Sequence, residues 1–138
     1  ISQVLPVIVQ GFMSYRKSMT IIEQPEIHLH PKMQADLADL FIDISIQINK
    51  GKIAPYKYLL IETHSEYLLK RMRRRIAENK KINVENVAIY YFHPRSSSST
   101  GVIERKDINK TGFFEYPEDF YSGELLTDNV EFLKRQLK

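Results

Sequence analysis

Residues with chemical potential crowd one short stretch. In "MTIIEQPEIHLHP", Met19 to Pro31, an apolar run stops at Glu23 and is followed by Gln24, Glu26, His28 and His30. Two carboxylates, an amide and two imidazoles are groups that hold a metal, move a proton or orient a water. A second set follows in "IETHSE", where Glu62 and His64 close another apolar run. A carboxylate at the end of a buried strand is costly unless paired or metal-bound. Magnesium is a hard ion that takes one or two carboxylates, waters and phosphate oxygens, so a lone strand-end acid such as Glu23 suits nucleotide-bound Mg²⁺. The plain alternative is an acid already in solvent or paired with an arginine.

The elements that must position these groups read as strand–helix–strand–helix–strand. "SQVLPVIVQGFMSYRKS" spaces Val4, Leu5, Ile8, Phe12 and Met13 close to a helical period, with Pro6 tolerated only in the first turn. "MTIIE" is a short strand. "PKMQADLADLFIDISIQINKG" predicts one long amphipathic helix, opened by Pro31 and closed at Gly51, with an apolar stripe of Leu37, Leu40, Phe41, Ile44 and Ile48. "YKYLLIET" is the second strand, and "HSEYLLKRMRRRIAENKK" a helix capped by Thr63 or Ser65, with Leu68, Leu69, Met72 and Ile76 inward. "NVAIYYF" is the third strand, and "VIERKDI" an antiparallel return after the serine-rich loop Ser96 to Ser99. The tail "GFFEYPEDFYSGELL" is aromatic, acidic and irregular, before a short closing helix at "NVEFLKRQL". This order predicts an α/β layered domain with parallel central strands, in which ligands gather at the carboxyl ends. Both polar clusters fall on that edge.

The bulk properties set limits. A chain of 138 residues suits one domain with a real core. An apolar fraction of 43% and a charged fraction of 27% are those of an ordinary globular protein, and no run approaches a membrane span. The absence of cysteine excludes disulfides and thiolate metal sites and fits a reducing, cytoplasmic setting. A net charge of +3 does not by itself imply nucleic acid. The "KRMRRR" run, Lys70, Arg71, Arg73, Arg74 and Arg75, is either a contact for nucleic-acid phosphates or a partner, or a solvated helix face.

The ordered set of motifs resembles the ABC-type ATPases, especially prokaryotic ones related to the chromosome-maintenance and overcoming-lysogenization-defect families. "TIIEQPEIHLHP" is similar to their Walker B strand and following loop, and "LLIETHSEYLLKRM" to their switch-histidine segment. "SQVLPVIVQ" resembles the end of their signature motif. "NVAIYYFHP" and "GFFEYPEDFY" resemble a C-terminal domain of unknown function that closes many of these proteins. The resemblance implies a C-terminal half of an ATPase head over 1–94, followed by a C-terminal extension over 95–138. It implies ATP and Mg²⁺ as cofactors, with Glu23 on the metal, Gln24 where a water-activating glutamate is usual, and His64 on the γ-phosphate. It also implies that Glu26, His28 and His30 form a loop meeting the opposite subunit of a head-to-tail homodimer. Ser2 and Gln3, as the signature remnant, would face that subunit's nucleotide.

The departures are equally specific. No G-x-x-x-x-G-K-[ST] loop occurs, and the glycines expected before the signature serine are missing. The chain also opens without a methionine, in mid-pattern. The expectation is therefore a portion of a longer ATPase that neither binds ATP with ordinary affinity nor hydrolyses it alone. In the complete protein the output could be phage defence or DNA repair, exerted on nucleic acid or through an effector nuclease. Two rival readings remain from the residues themselves. One is a metal-dependent hydrolase using the His28 and His30 pair, completed by Glu26, Glu62 or His64. The other is a basic binding module, in which Phe113, Phe114, Tyr116, Phe120 and Tyr121 either stack bases or pack in a core.

Overall fold

The computed structural model describes residues 4–14, 17–49, 52–55, 57–93 and 102–116. They fall into two compact units. The first runs up to Val87 and includes Asn109–Phe113; the second holds the other described residues from Ala88 onward.

The first unit is built on a parallel pair. Strand β1 (Met19–Glu23) runs beside β4 (Tyr58–Glu62), with Met19 opposite Tyr58 and Glu23 opposite Glu62. Between them lies α2 (Pro31–Ser45), followed by an antiparallel hairpin of β2 (Ile46–Asn49) and β3 (Lys52–Pro55). The single helix expected from Pro31 to Gly51 therefore ends at Ser45. Ile46, Gln47, Ile48 and Asn49 alternate in type and carry two β-branched side chains, which suit a pleated strand. Ile48, expected on the helical stripe, belongs to β2 instead.

Helix α1 (Val4–Met13) precedes β1, and α3 (Glu66–Glu78) follows β4. Pro6 lies in the first turn of α1, where its missing N–H costs nothing. Its inward residues differ from the expected stripe: Val4 and Val7 pack on the core and Gly11 is buried, while Leu5, Phe12 and Met13 are exposed. The shift follows from Gly11. A Cβ there would stand 2.6 Å from Ile44 Cδ1, so the face that meets α2 is the one without a side chain. Lys57, itself buried, donates Nζ to the carbonyls of Gly11 (2.5 Å) and Phe12 (3.1 Å), satisfying the C-terminal end of α1.

The core is Ile22 from β1, Leu37, Ala38 and Phe41 from α2, and Leu68 from α3, with Leu59, Ile61, Leu40 and Met72 packed around it. Period-two alternation sends Thr20 and Ile22 inward. Met19, Ile21, Tyr58 and Leu60 point to the other face of the sheet, and each is more than half exposed. Parallel pairs are ordinarily covered on both faces. Among the described residues this one is covered on one face.

In the second unit β5 (Ile89–Phe92) pairs antiparallel with β6 (Ile103–Lys106), as "VIERKDI" implies. The third strand expected in the parallel sheet is thus a hairpin strand, and among the described residues parallel pairing stops at two strands. Here Glu104 accepts from Lys106 Nζ and pairs with His93 Nε2, and these contacts hold its carboxyl below the ordinary range. Phe114 is buried, with the Tyr116 ring centroid 4.6 Å away. The closing helix, the serine run and the aromatics Phe120 and Tyr121 lie outside the described residues, as do Ser2 and Gln3.

Candidate active site

The site is the carboxyl edge of the parallel pair. Equal register carries Glu23 and Glu62 to the same level, and the alternation of both strands places them on the open face. Among the described residues neither carboxylate has a cationic partner. Two like charges side by side in solvent repel by about 1 kcal/mol at ~4 Å. Among the described residues of the first unit no cation relieves that repulsion, and a hard divalent ion would do so.

Gln24 turns the chain off this edge. Its backbone is left-handed (φ 43°), its N–H donates to the Glu62 carbonyl at 2.9 Å, and its Nε2 reaches Glu62 Oε1 at 3.4 Å. Pro25 is buried and the loop coils tightly, with Leu29 N–H bonded to the Glu26 carbonyl at 3.0 Å. His28 occupies a second left-handed position (φ 62°) and is exposed. His30 is the N-cap of α2: its Nδ1 accepts from Lys32 N–H at 3.3 Å. Among the described residues no three His, Asp or Glu side chains gather as a metal group. A catalytic zinc needs three protein ligands.

Glu26 lies differently from its neighbours in the loop. It is only 7% exposed, and its Oε1 accepts the His64 N–H at 2.7 Å. This bond crosses from the loop after β1 to the loop after β4. A second crossing runs through Gln34 on α2, which accepts from Ser65 Oγ at 2.6 Å and donates Nε2 to the Leu29 carbonyl at 2.9 Å. Ser65, one of the two expected caps, is the one used: its Oγ accepts from Leu68 N–H at 3.2 Å. The two loops are thereby tied at both ends, and the His64 ring stands exposed at the same edge as Glu23 and Gln24. Gln34 carried no signal in the sequence, since a glutamine in a helix's first turn has no distinctive neighbour.

Each residue of the basic run has a partner inside the first unit. Arg71 and Arg75 both hold Asp39 (2.7 and 2.5 Å), and Arg75 and Arg74 hold Glu78 (2.8 and 2.9 Å). Lys70 pairs with Glu66 at 2.7 Å. Arg73 donates to the Gly112 carbonyl at 2.9 Å and lies over the Phe113 ring. The Arg75 hydrogen bond, opposed in part by burial and reinforced by the charge of Arg71, holds the Asp39 carboxyl below its ordinary range. Arg75 in turn is pushed up by Asp39 and Glu78.

Comparison with protein families matches residues 1–69, half of the chain, to the AAA ATPase domain. The chain belongs to the AAA ATPase domain family. That match takes in β1, the loop after it, α2, β4 and the start of α3, so every residue of the edge just described falls inside it. No curated protein and no solved structure matches the chain. Among the described residues no helix is long and apolar enough to cross a membrane.

Proposed function

We propose that this chain supplies the metal-, water- and γ-phosphate-facing edge of an ABC-type ATPase head. The observation that carries this reading is the stitched edge itself. Glu23, Gln24 and His64 stand at the ends of adjacent parallel strands inside the region matched to the ATPase family.

Members of such a family depend on nucleotide and Mg²⁺, and the residues fit that need. Glu23 is a hard donor at a strand end with no cationic partner among the described residues, and the Glu62 carboxylate lies beside it. Glu23 would hold the ion, which when bound neutralises charge on the phosphate oxygens. Gln24 cannot accept a proton as a carboxylate does, but its amide can orient a water. Its contact with Glu62, at 3.4 Å, keeps that amide at the edge. His64, exposed above a backbone N–H held by Glu26, would donate to the γ-phosphate. Phosphoryl transfer is mostly positioning and charge neutralisation, so these parts suffice if the phosphates are cradled by another segment.

The uncovered face of the sheet supports the second half of the reading. Met19, Ile21, Tyr58 and Leu60 form an apolar surface that a phosphate-cradling lobe would bury. In the complete head the loop of His28 and His30 would meet a second, head-to-tail copy. Intrachain pairing of every arginine in the basic run favours a structural seam there over a nucleic-acid contact. The test is single-turnover hydrolysis by the complete protein. His64→Ala should slow it at least tenfold with Mg-ATP still bound, and an unchanged rate would remove His64 from the site.

A further inference from the structure

Glu26 is a buried carboxylate with one bond. Its Oε1 takes the His64 N–H at 2.7 Å, and its Oε2 is buried with no partner. Burying a carboxylate with half of its acceptor capacity unused is unfavourable. An apolar side chain of similar length would fill the same space without that cost. All of the side chain's hydrogen bonding is directed to one amide, and that amide belongs to the histidine at the edge of the site.

The loop that supplies Glu26 is the loop that presents His28. Three ties bind it to the segment of His64: Gln24 N–H to the Glu62 carbonyl, Glu26 to His64 N–H, and Gln34 between the Leu29 carbonyl and Ser65 Oγ. Gln24 and His28 both sit in left-handed backbone, which non-glycine residues hold only when surrounding bonds determine it. The loop is therefore a fixed turn with its conformation set from within.

We infer that Glu26 is a positioning residue for His64, and that its carboxylate makes the His28–His30 loop and the γ-phosphate-facing histidine move as one piece. This rests on the ATPase reading above. Docking of a second copy against His28 and His30 would then be felt at His64 chiefly through the Glu26 hydrogen bond, the one of the three ties that ends on His64 itself. Loss of the bond would leave nucleotide binding in place and spoil the alignment of the histidine.

The experiment is a double-mutant cycle in the complete protein, reading Mg-ATP affinity and single-turnover hydrolysis separately. Glu26→Ala should slow hydrolysis at least tenfold while changing Mg-ATP affinity less than threefold. In the double variant with His64→Ala the rate should be no lower than with His64→Ala alone, because both changes remove the same element. Glu26→Gln, whose amide oxygen can accept the same N–H, should recover most of the rate. Glu26→Met fills the volume without an acceptor and decides the matter if Glu26→Ala does not fold. Hydrolysis within threefold of wild type in the Ala or Met variant would overturn the inference. So would multiplicative losses in the double variant. A wild-type protein that neither binds nor hydrolyses ATP would instead overturn the ATPase reading on which it rests.

Discussion

Gln24 holds a left-handed backbone at the end of a strand and points its amide at a carboxylate. The amide matters because the neighbours are acidic. With Glu23 and Glu62 level with each other, a third carboxylate at position 24 would add like charge within hydrogen-bonding distance. Gln24 thus trades proton-accepting ability for a quieter edge. Gln24→Glu in the complete protein should raise single-turnover hydrolysis by about tenfold or more, less than the roughly hundredfold minimum usual for a positioned base because the neighbouring carboxylates oppose the added charge. An unchanged rate would show that water activation does not limit the reaction. At this scale much was legible in the sequence: Glu23 and His64 were visible as polar residues closing apolar runs, and Ser65 as one of two possible caps. The partners of Glu26 and Gln34 were not, since hydrogen bonds between residues some 30 or more positions apart leave no local pattern.

Helices α2 and α3 are joined by charge as well as by Phe41 and Leu68 in the shared core. Asp39 on α2 receives two guanidinium groups from α3, and one of them, that of Arg75, also reaches Glu78. Because the Asp39 carboxyl is held below its ordinary range, it binds a proton less readily folded than unfolded. Its contribution is therefore complete above the unfolded value of about 4 and is lost as pH falls through the lower folded value. Asp39→Asn should lower stability at neutral pH by on the order of 1 kcal/mol, given partial exposure and screening. It should also flatten the acid limb of an unfolding curve below pH ~4. A variant with the parent's acid limb would exclude this pair as its source. The sequence displayed the arginines but not their acids, because period alone does not say which helix faces which. The early end of α2 was hidden for a related reason: Ile44, Ile46 and Ile48 satisfy an apolar pattern in either helix or strand, and β-branching at 46 and 48 decides for the strand.

At the scale of the whole molecule, the proposed function makes the first unit one lobe of an ATPase head. The edge of Glu23 and Glu62 is held by hydrogen bonds, the described core is packed on one side of the sheet, and the other side presents Met19, Ile21, Tyr58 and Leu60 to solvent. The strand–helix order that predicted a parallel sheet was correct for β1 and β4, where short apolar runs end in polar clusters. It overreached for the third strand, whose partner follows it across a serine-rich loop, so antiparallel pairing prevailed. The central claim is that the Glu23 edge is where ATP chemistry occurs. Single-turnover hydrolysis of Mg-ATP by the complete protein carrying Glu23→Gln tests it most directly. The account predicts a loss of at least about a hundredfold, as expected on removing a metal-holding carboxylate whose charge stabilisation acts mainly in the transition state. Hydrolysis at the wild-type rate, with the same dependence on Mg²⁺, would contradict it.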